Sequence, residues 1–190
     1  MSAKPRHRDA IVGAATRLFR RQGFAATGLA QIVEVSGAPK GSVYHYFPGG
    51  KSAIGAAAVA AAGGKVSATI AGLPVGLAPG DFIRSYGQLM AGWLRASGYR
   101  DGCPIATTVL EEAAGDAAIA MAARTVFADW TSAMSERLMA AGLTRPSAST
   151  LALMAVAALE GALILARAER SDDPILRVSE SLGNLADEMA

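Results

Sequence analysis

The chain has 190 residues, room for one sizeable core and a small satellite domain at one end. Hydrophobic residues make up 52% and aromatic residues only 6%, with 21 glycines, which excludes a disordered or fibrous chain and suits alanine-rich helices in close approach. One cysteine, Cys103, excludes an internal disulfide framework, and the net charge of +2 hides an asymmetry: residues 1–51 hold eight basic against two acidic side chains (+6), residues 52–190 ten against fourteen (−4).

In chain order, MSAKPRHRDA carries basic residues without an apolar signal core behind them, so a cytoplasmic protein is expected. Ile11, Ala14, Ala15, Leu18 and Phe19 recur at i, i+3, i+4, i+7 and i+8 and predict a first helix that Gly23 ends. Arg6, His7 and Arg8 precede that stripe, either as a basic arm or as a solvated terminus. Thr27 reads as the N-cap of a short second helix carrying Leu29, Ile32 and Val33 inward, and Gly37 supplies the left-handed residue after Ser36. Ala38-Pro39 opens a third helix and Phe47-Pro48 closes it. Two short helices joined by a tight glycine-bearing turn are helix-turn-helix geometry.

From Lys51 a long alanine-rich helix is expected toward Ile70, with Gly63-Gly64 as a place to bend, followed by a loop over 73–80. Further helices are predicted over 81–97, 104–114, 117–141, 147–168 and 174 to the end. No run reads as a membrane span, since AIGAAAVAAAGG is short and the run 151–166 is broken by Glu160-Gly161. The expected fold is all-α, with domains at 1–51 and 52–190.

A basic head on a mildly acidic body is the charge pattern of a chain that meets a polyanion at one end. Within the third helix, Val43 and Phe47 lie four apart and face inward, which frees Lys40, Gly41, Ser42, Tyr44 and His45 to read base edges in a major groove. Lysine donates to guanine, serine suits several edges, an aromatic ring touches a thymine methyl, and Gly41 lets the backbone approach. Packing within the head is the alternative for Tyr44 and His45. Thr27, at a helix N-terminus, suits a phosphate contact as well as a cap. Lys51 opens the long helix, where the dipole disfavours a cation, so an external anion or solvent is its expected partner.

The segment TGLAQIVEVSGAPKGSVYHYFPGGK, Thr27 to Lys51, resembles the DNA-binding signature of the TetR family of bacterial transcriptional regulators. PKGSVYHYFPGGK and GCPIAT, residues 102–107, resemble its LmrA/YxaF-like subgroup. The resemblance implies an all-helical homodimer with three N-terminal helices on double-stranded DNA and a divergent C-terminal domain that holds a small-molecule inducer. It also places Tyr46 and Lys51 against the phosphate backbone.

In the body, Tyr86, Met90 and Trp93 share one helix face, and Phe127, Trp130 and Met134 share another. Two such faces meeting would line a cavity for an apolar or aromatic ligand, and ordinary core packing reads from the same spacing. Leu159 and Leu163, with Val178, Leu182 and Leu185 of the last helix, form a surface for a second copy or pack inside one subunit; the resemblance favours the former. The expected mechanism is a homodimeric repressor on a pseudo-palindromic operator, without metal or cofactor. Enzymatic chemistry is disfavoured: the body holds no histidine, Glu111-Glu112 point to different faces, and Cys103 has no evident base. A membrane-surface role lacks the basic amphipathic helix it would need.

Overall fold

The computed structural model describes residues 5–190, with side chains from His7 onward. Among them the chain is helical throughout: α1 (Pro5–Gln22), α2 (Leu29–Ser36), α3 (Lys40–Tyr46), α4 (Gly50–Gly72), α5 (Pro79–Ala96), α6 (Pro104–Glu112), α7 (Ala117–Ala140), α8 (Arg145–Glu169) and α9 (Asp173–Glu188). The punctuation follows the residues that cannot continue a helix. Gly23 and Gly37 take left-handed φ values of 89° and 63° and donate back to Phe19 and Val33. Prolines open α5, α6, α8 and α9 at their first turns.

The residues group into two compact units that do not follow the chain in consecutive halves. The first holds residues up to Gly64 together with Cys103–Val126, and the second holds Lys65–Gly102 and Phe127–Ala190. Segment 103–126 therefore packs with the basic head, beyond the division expected after Lys51.

In the first unit, Ile11, Ala15 and Phe19 of α1 meet Ile32, Val43, Phe47, Ile54 and Ile119 in one core. The α1 stripe and the inward placement of Val43 and Phe47 are as the spacing required. Two expectations are corrected here. α1 begins at Pro5, so His7 and Arg8 lie inside the helix rather than ahead of it, and the Arg8 guanidinium sits 5.8 Å from the centre of the Phe47 ring. The side chain of Arg6 falls outside the described residues. Thr27 does not cap α2, because the helix starts two residues later and Gly28 is its N-cap. The Thr27 side chain is 1% exposed and its hydroxyl donates to Gly23 O at 2.7 Å, closing the loop behind the helix instead.

In the second unit, α5 lies along α9 so closely that a Cβ on Gly87 would fall 2.3 Å from that of Ser179. Arg84 of α5 ties the two together through Glu180, Asn184 and Asp187. Arg137 of α7 donates to Leu73 O at 2.8 Å and Ala71 O at 3.0 Å, satisfying carbonyls left open where α4 ends. α8 buries Leu151, Ala155, Leu159, Ala162 and Ala166.

α4, with 23 residues, and α8, with 25, are long and apolar enough to cross a bilayer by length and composition alone. Each nevertheless buries apolar residues as a core helix does, Ile54, Ala58 and Ile70 on α4 and Leu151, Ala155 and Leu159 on α8, so the membrane expectation is not overturned. The helices outrun the apolar runs inside them. α4 passes through Gly63-Gly64 as one helix, and Gly63 serves contact there, since a Cβ would meet Val126 at 2.3 Å.

Candidate nucleic-acid interface

The turn between α2 and α3 is built by local hydrogen bonds. Ser36 Oγ donates to Val33 O and accepts from Ala38 N, while Gly37 N reaches Val33 O and Glu34 O. Pro39 is extended and precedes the first helical residue of α3, and Ser42 N closes the first turn onto Pro39 O at 2.8 Å. A helix of seven residues has little protein to lie against. Val43 and Phe47 take that side with Tyr46 packed beside them, and Lys40, Gly41, Tyr44 and His45 face outward.

Lys40, Gly41, Tyr44 and His45 are exposed, Tyr44 at 58%, and Ser42 is half-buried beside them. The five expected base-reading positions thus come together on one short surface carrying an ammonium, a bare backbone, a hydroxyl, a phenol and an imidazole. His45 rests edge-on against Tyr46, ring centres 4.9 Å apart. Such a row offers donors, acceptors and apolar contact at helical spacing, which is the chemistry needed to discriminate base pairs in a major groove.

The three expected phosphate contacts are not alike. Thr27 keeps its hydroxyl indoors, so only backbone amides at the start of α2 remain available there. Tyr46, the last residue of α3, is half-buried against the head core. Lys51 is half-buried at the first turn of α4; its ammonium donates to Ala25 O at 3.4 Å and lies 4.2 Å from the centre of the Phe24 ring. These local partners answer the unfavourable helix end without any external anion.

Two acidic groups reach this unit from the later segment, and nothing in the local spacing announced them. Glu111 of α6 accepts from Ala25 N, 86 residues away in sequence. Asp116 caps α7 by accepting from Ala118 N and Ile119 N. Its carboxyl is held below the usual range by a hydrogen bond from Ser52 and then by the Ile119 amide.

Against known proteins, residues 11–58 match the family of bacterial regulatory proteins of TetR type, and residues 79–181 match the C-terminal domain of LmrA/YxaF-like transcriptional regulators. The chain belongs to the TetR family of bacterial transcriptional regulators. It is similar to an uncharacterised HTH-type transcriptional regulator of Mycobacterium tuberculosis, 38% identical over 186 residues that cover 94% of this chain and 93% of that one. The HTH-type transcriptional regulator LmrA of Bacillus subtilis is 29% identical over 179 residues, covering 94% and 95%. In fold it resembles the crystal structure of regulatory protein TetR from Rhodobacter sphaeroides, with a TM-score of 0.82 at 22% identity over 94% of this chain and 97% of that one. TetR-family membership makes it a DNA-binding transcriptional regulator, a class without enzymatic activity.

In the second unit of this TetR-family chain, four of the six expected cavity residues meet. Tyr86, Met90, Trp130 and Met134 line a space of about 10 Å³ together with Ile70, Val156, Leu159 and Glu160, about room for one water molecule. Two positions are corrected. Trp93 is 47% exposed and lines no part of that space, although its helical angle falls between those of buried Phe82 and Tyr86. Phe127 lines a separate open groove of about 550 Å³ between α7 and α8 with Thr131, Ser135 and Ser149.

The expected dimer surface is also redistributed. Leu159 and Leu182 are buried within the subunit, so neither has surface to offer a second chain, and Leu163, Val178 and Leu185 are half-buried. The apolar side chains that α8 leaves outside are Leu153, Met154, Ile164 and Leu165, one register away from the expected pair.

Proposed function

We propose that the protein is a cytoplasmic repressor that binds a pseudo-palindromic operator as a homodimer and is released by a small hydrophobic or aromatic ligand. The observation that carries this reading is the outward row on α3: Lys40, Gly41, Tyr44 and His45 exposed on a helix whose inner side, Val43, Tyr46 and the following Phe47, packs on the head core. In this scheme residues 1–51 contact DNA and residues 52–190 supply ligand binding and dimerisation. Lys51 and Tyr46 meet phosphates, Lys51 by exchanging its contact with Ala25 O for a stronger anion.

A dimer is supported by the exposed stripe of Leu153, Met154, Ile164 and Leu165 along α8, interleaved with exposed Ala157 and Gly161 that let a second helix approach. Half-buried Leu163, Val178 and Leu185 complete that face. Two copies of α3 would then enter successive major grooves about 34 to 36 Å apart. The ligand reading is supported by the aromatic and thioether lining of the small cavity, whose two methionines can repack to admit a guest. A ligand that opens the cavity shifts the population toward a state with wrongly spaced heads, by no more than its differential affinity for the two states.

The test is a titration of full-length protein against DNA selected from a random pool, at several salt concentrations, with the mass of the complex measured by sedimentation. Two chains on a two-fold symmetric site, with affinity falling steeply with salt, is the expected result. One chain per site, or affinity indifferent to sequence, sinks the proposal.

A further inference from the structure

Loop 23–28 leads from α1 into α2, the helix whose turn sets the direction of α3. Much of what fixes this loop is local. Thr27 N donates to Phe24 O at 3.0 Å, Thr27 Oγ1 donates to Gly23 O, and Gln22 Nε2 donates to Ala26 O at 3.1 Å. Ala25 is different, because both of its backbone groups go to charged side chains from elsewhere in the sequence. Its carbonyl accepts from the Lys51 ammonium at the start of α4, and its N–H donates to the Glu111 carboxylate on α6 at 2.5 Å.

The loop is shaped around that carboxylate. Gly23 sits at φ 89°, and a Cβ there would lie 2.5 Å from Glu111 Oε1. Any side chain at position 23 would push the carboxylate off, over and above the strain of its backbone angle. Glu111 and its neighbour Asp116, which takes a hydrogen bond from Ser52 near the start of α4, belong to the segment 103–126 that lies in sequence between the two stretches of the second unit. An acidic side chain beside a head of charge +6 opposes DNA through its charge, so its place at the loop calls for a geometric reason.

We propose that Glu111 is a positioning residue for DNA binding: its carboxylate, delivered by α6, holds the Ala25 amide and thereby fixes the loop that aims α2 and α3. The proposal rests on the head being the DNA-binding surface and adds the element that sets its direction.

The experiment compares Glu111→Gln with Glu111→Ala in the full-length protein. Both remove the charge, so the electrostatic gain on DNA is common to the two and cancels in their ratio. Only glutamine retains an oxygen able to accept from Ala25 N. The glutamine variant is expected to bind selected operator DNA about fivefold more tightly than the alanine variant, as one hydrogen bond to a partly exposed amide allows. The two should share the same slope of affinity against salt, because no phosphate contact differs between them. Hydrogen exchange at the Ala25 amide should be faster in the alanine variant than in the glutamine variant. Binding is measured well below both melting temperatures, so a merely stabilising role leaves the affinities equal. Equal affinities, or equal exchange at Ala25, overturn the proposal. If the wild-type chain binds no DNA in a salt-sensitive way, the reading of the head itself fails and the positioning role fails with it, while the exchange rates still report whether the contact exists.

Discussion

Tyr44 and Tyr86 each sit on an amphipathic helix, yet Tyr44 is 58% exposed and Tyr86 is buried. α3 is seven residues long and packs on one side only, through Val43, Tyr46 and the adjoining Phe47, so whatever it does not bury it must show. α5 and α7 are 18 and 24 residues long and meet neighbours on more than one side, so an aromatic residue there has several ways to be covered. An exposed polar and aromatic row on a short anchored helix is therefore strong evidence for a ligand outside the protein. Aromatic residues at helical spacing on a long helix are first of all core.

Substitutions can break this contrast from either side. The largest effect belongs to the cavity wall: Trp130→Ala should cost about 3 to 5 kcal/mol of unfolding free energy, read by denaturant titration. Exposed Trp93→Ala should stay within about 0.5 kcal/mol, and similar losses at both would erase the distinction between the two faces. Next come the reading residues. Tyr44→Ala and Lys40→Ala should each cost about 1 to 3 kcal/mol of binding at particular base positions, with melting temperature little changed, as measured on a panel of single-base operator variants. Lys51→Ala should weaken all sequences alike and lower the salt slope by about one.

The smallest effect is a matter of pH. The Asp116 carboxyl is depressed in the folded chain by Ser52 and then the Ile119 amide, so it favours folding above the ordinary carboxylate range. That contribution is lost as pH falls through the ordinary value and below the depressed one. Asp116→Asn should narrow the difference in melting temperature between pH 7 and pH 3 relative to wild type, and an unchanged difference would remove Asp116 from the account of acid sensitivity.

Most of the helix-turn-helix was legible because its determinants are local. Gly23, Gly37, Pro39 and Pro48 punctuate it, and Val43 and Phe47 identify the buried side of α3. Thr27 misled because a threonine two residues before a helix satisfies the same local pattern as a cap, whereas its hydroxyl closes the loop onto Gly23. Leu159 and Leu182 misled because spacing marks an apolar face without saying whether the covering partner is α5, α9 or another chain. Glu111 was invisible for a different reason: its partner is a backbone amide 86 residues away, and a backbone amide has no sequence signature.

The central claim is that the outward row of α3 chooses the DNA sequence while Lys51 supplies affinity regardless of sequence. It is tested most directly by comparing wild type, Lys40→Ala, Tyr44→Ala and Lys51→Ala on every single-base variant of the selected operator at two salt concentrations. Losses confined to particular base positions for the first two substitutions, and a uniform loss with a shallower salt slope for the third, are what the account predicts. Uniform losses from all three would contradict it.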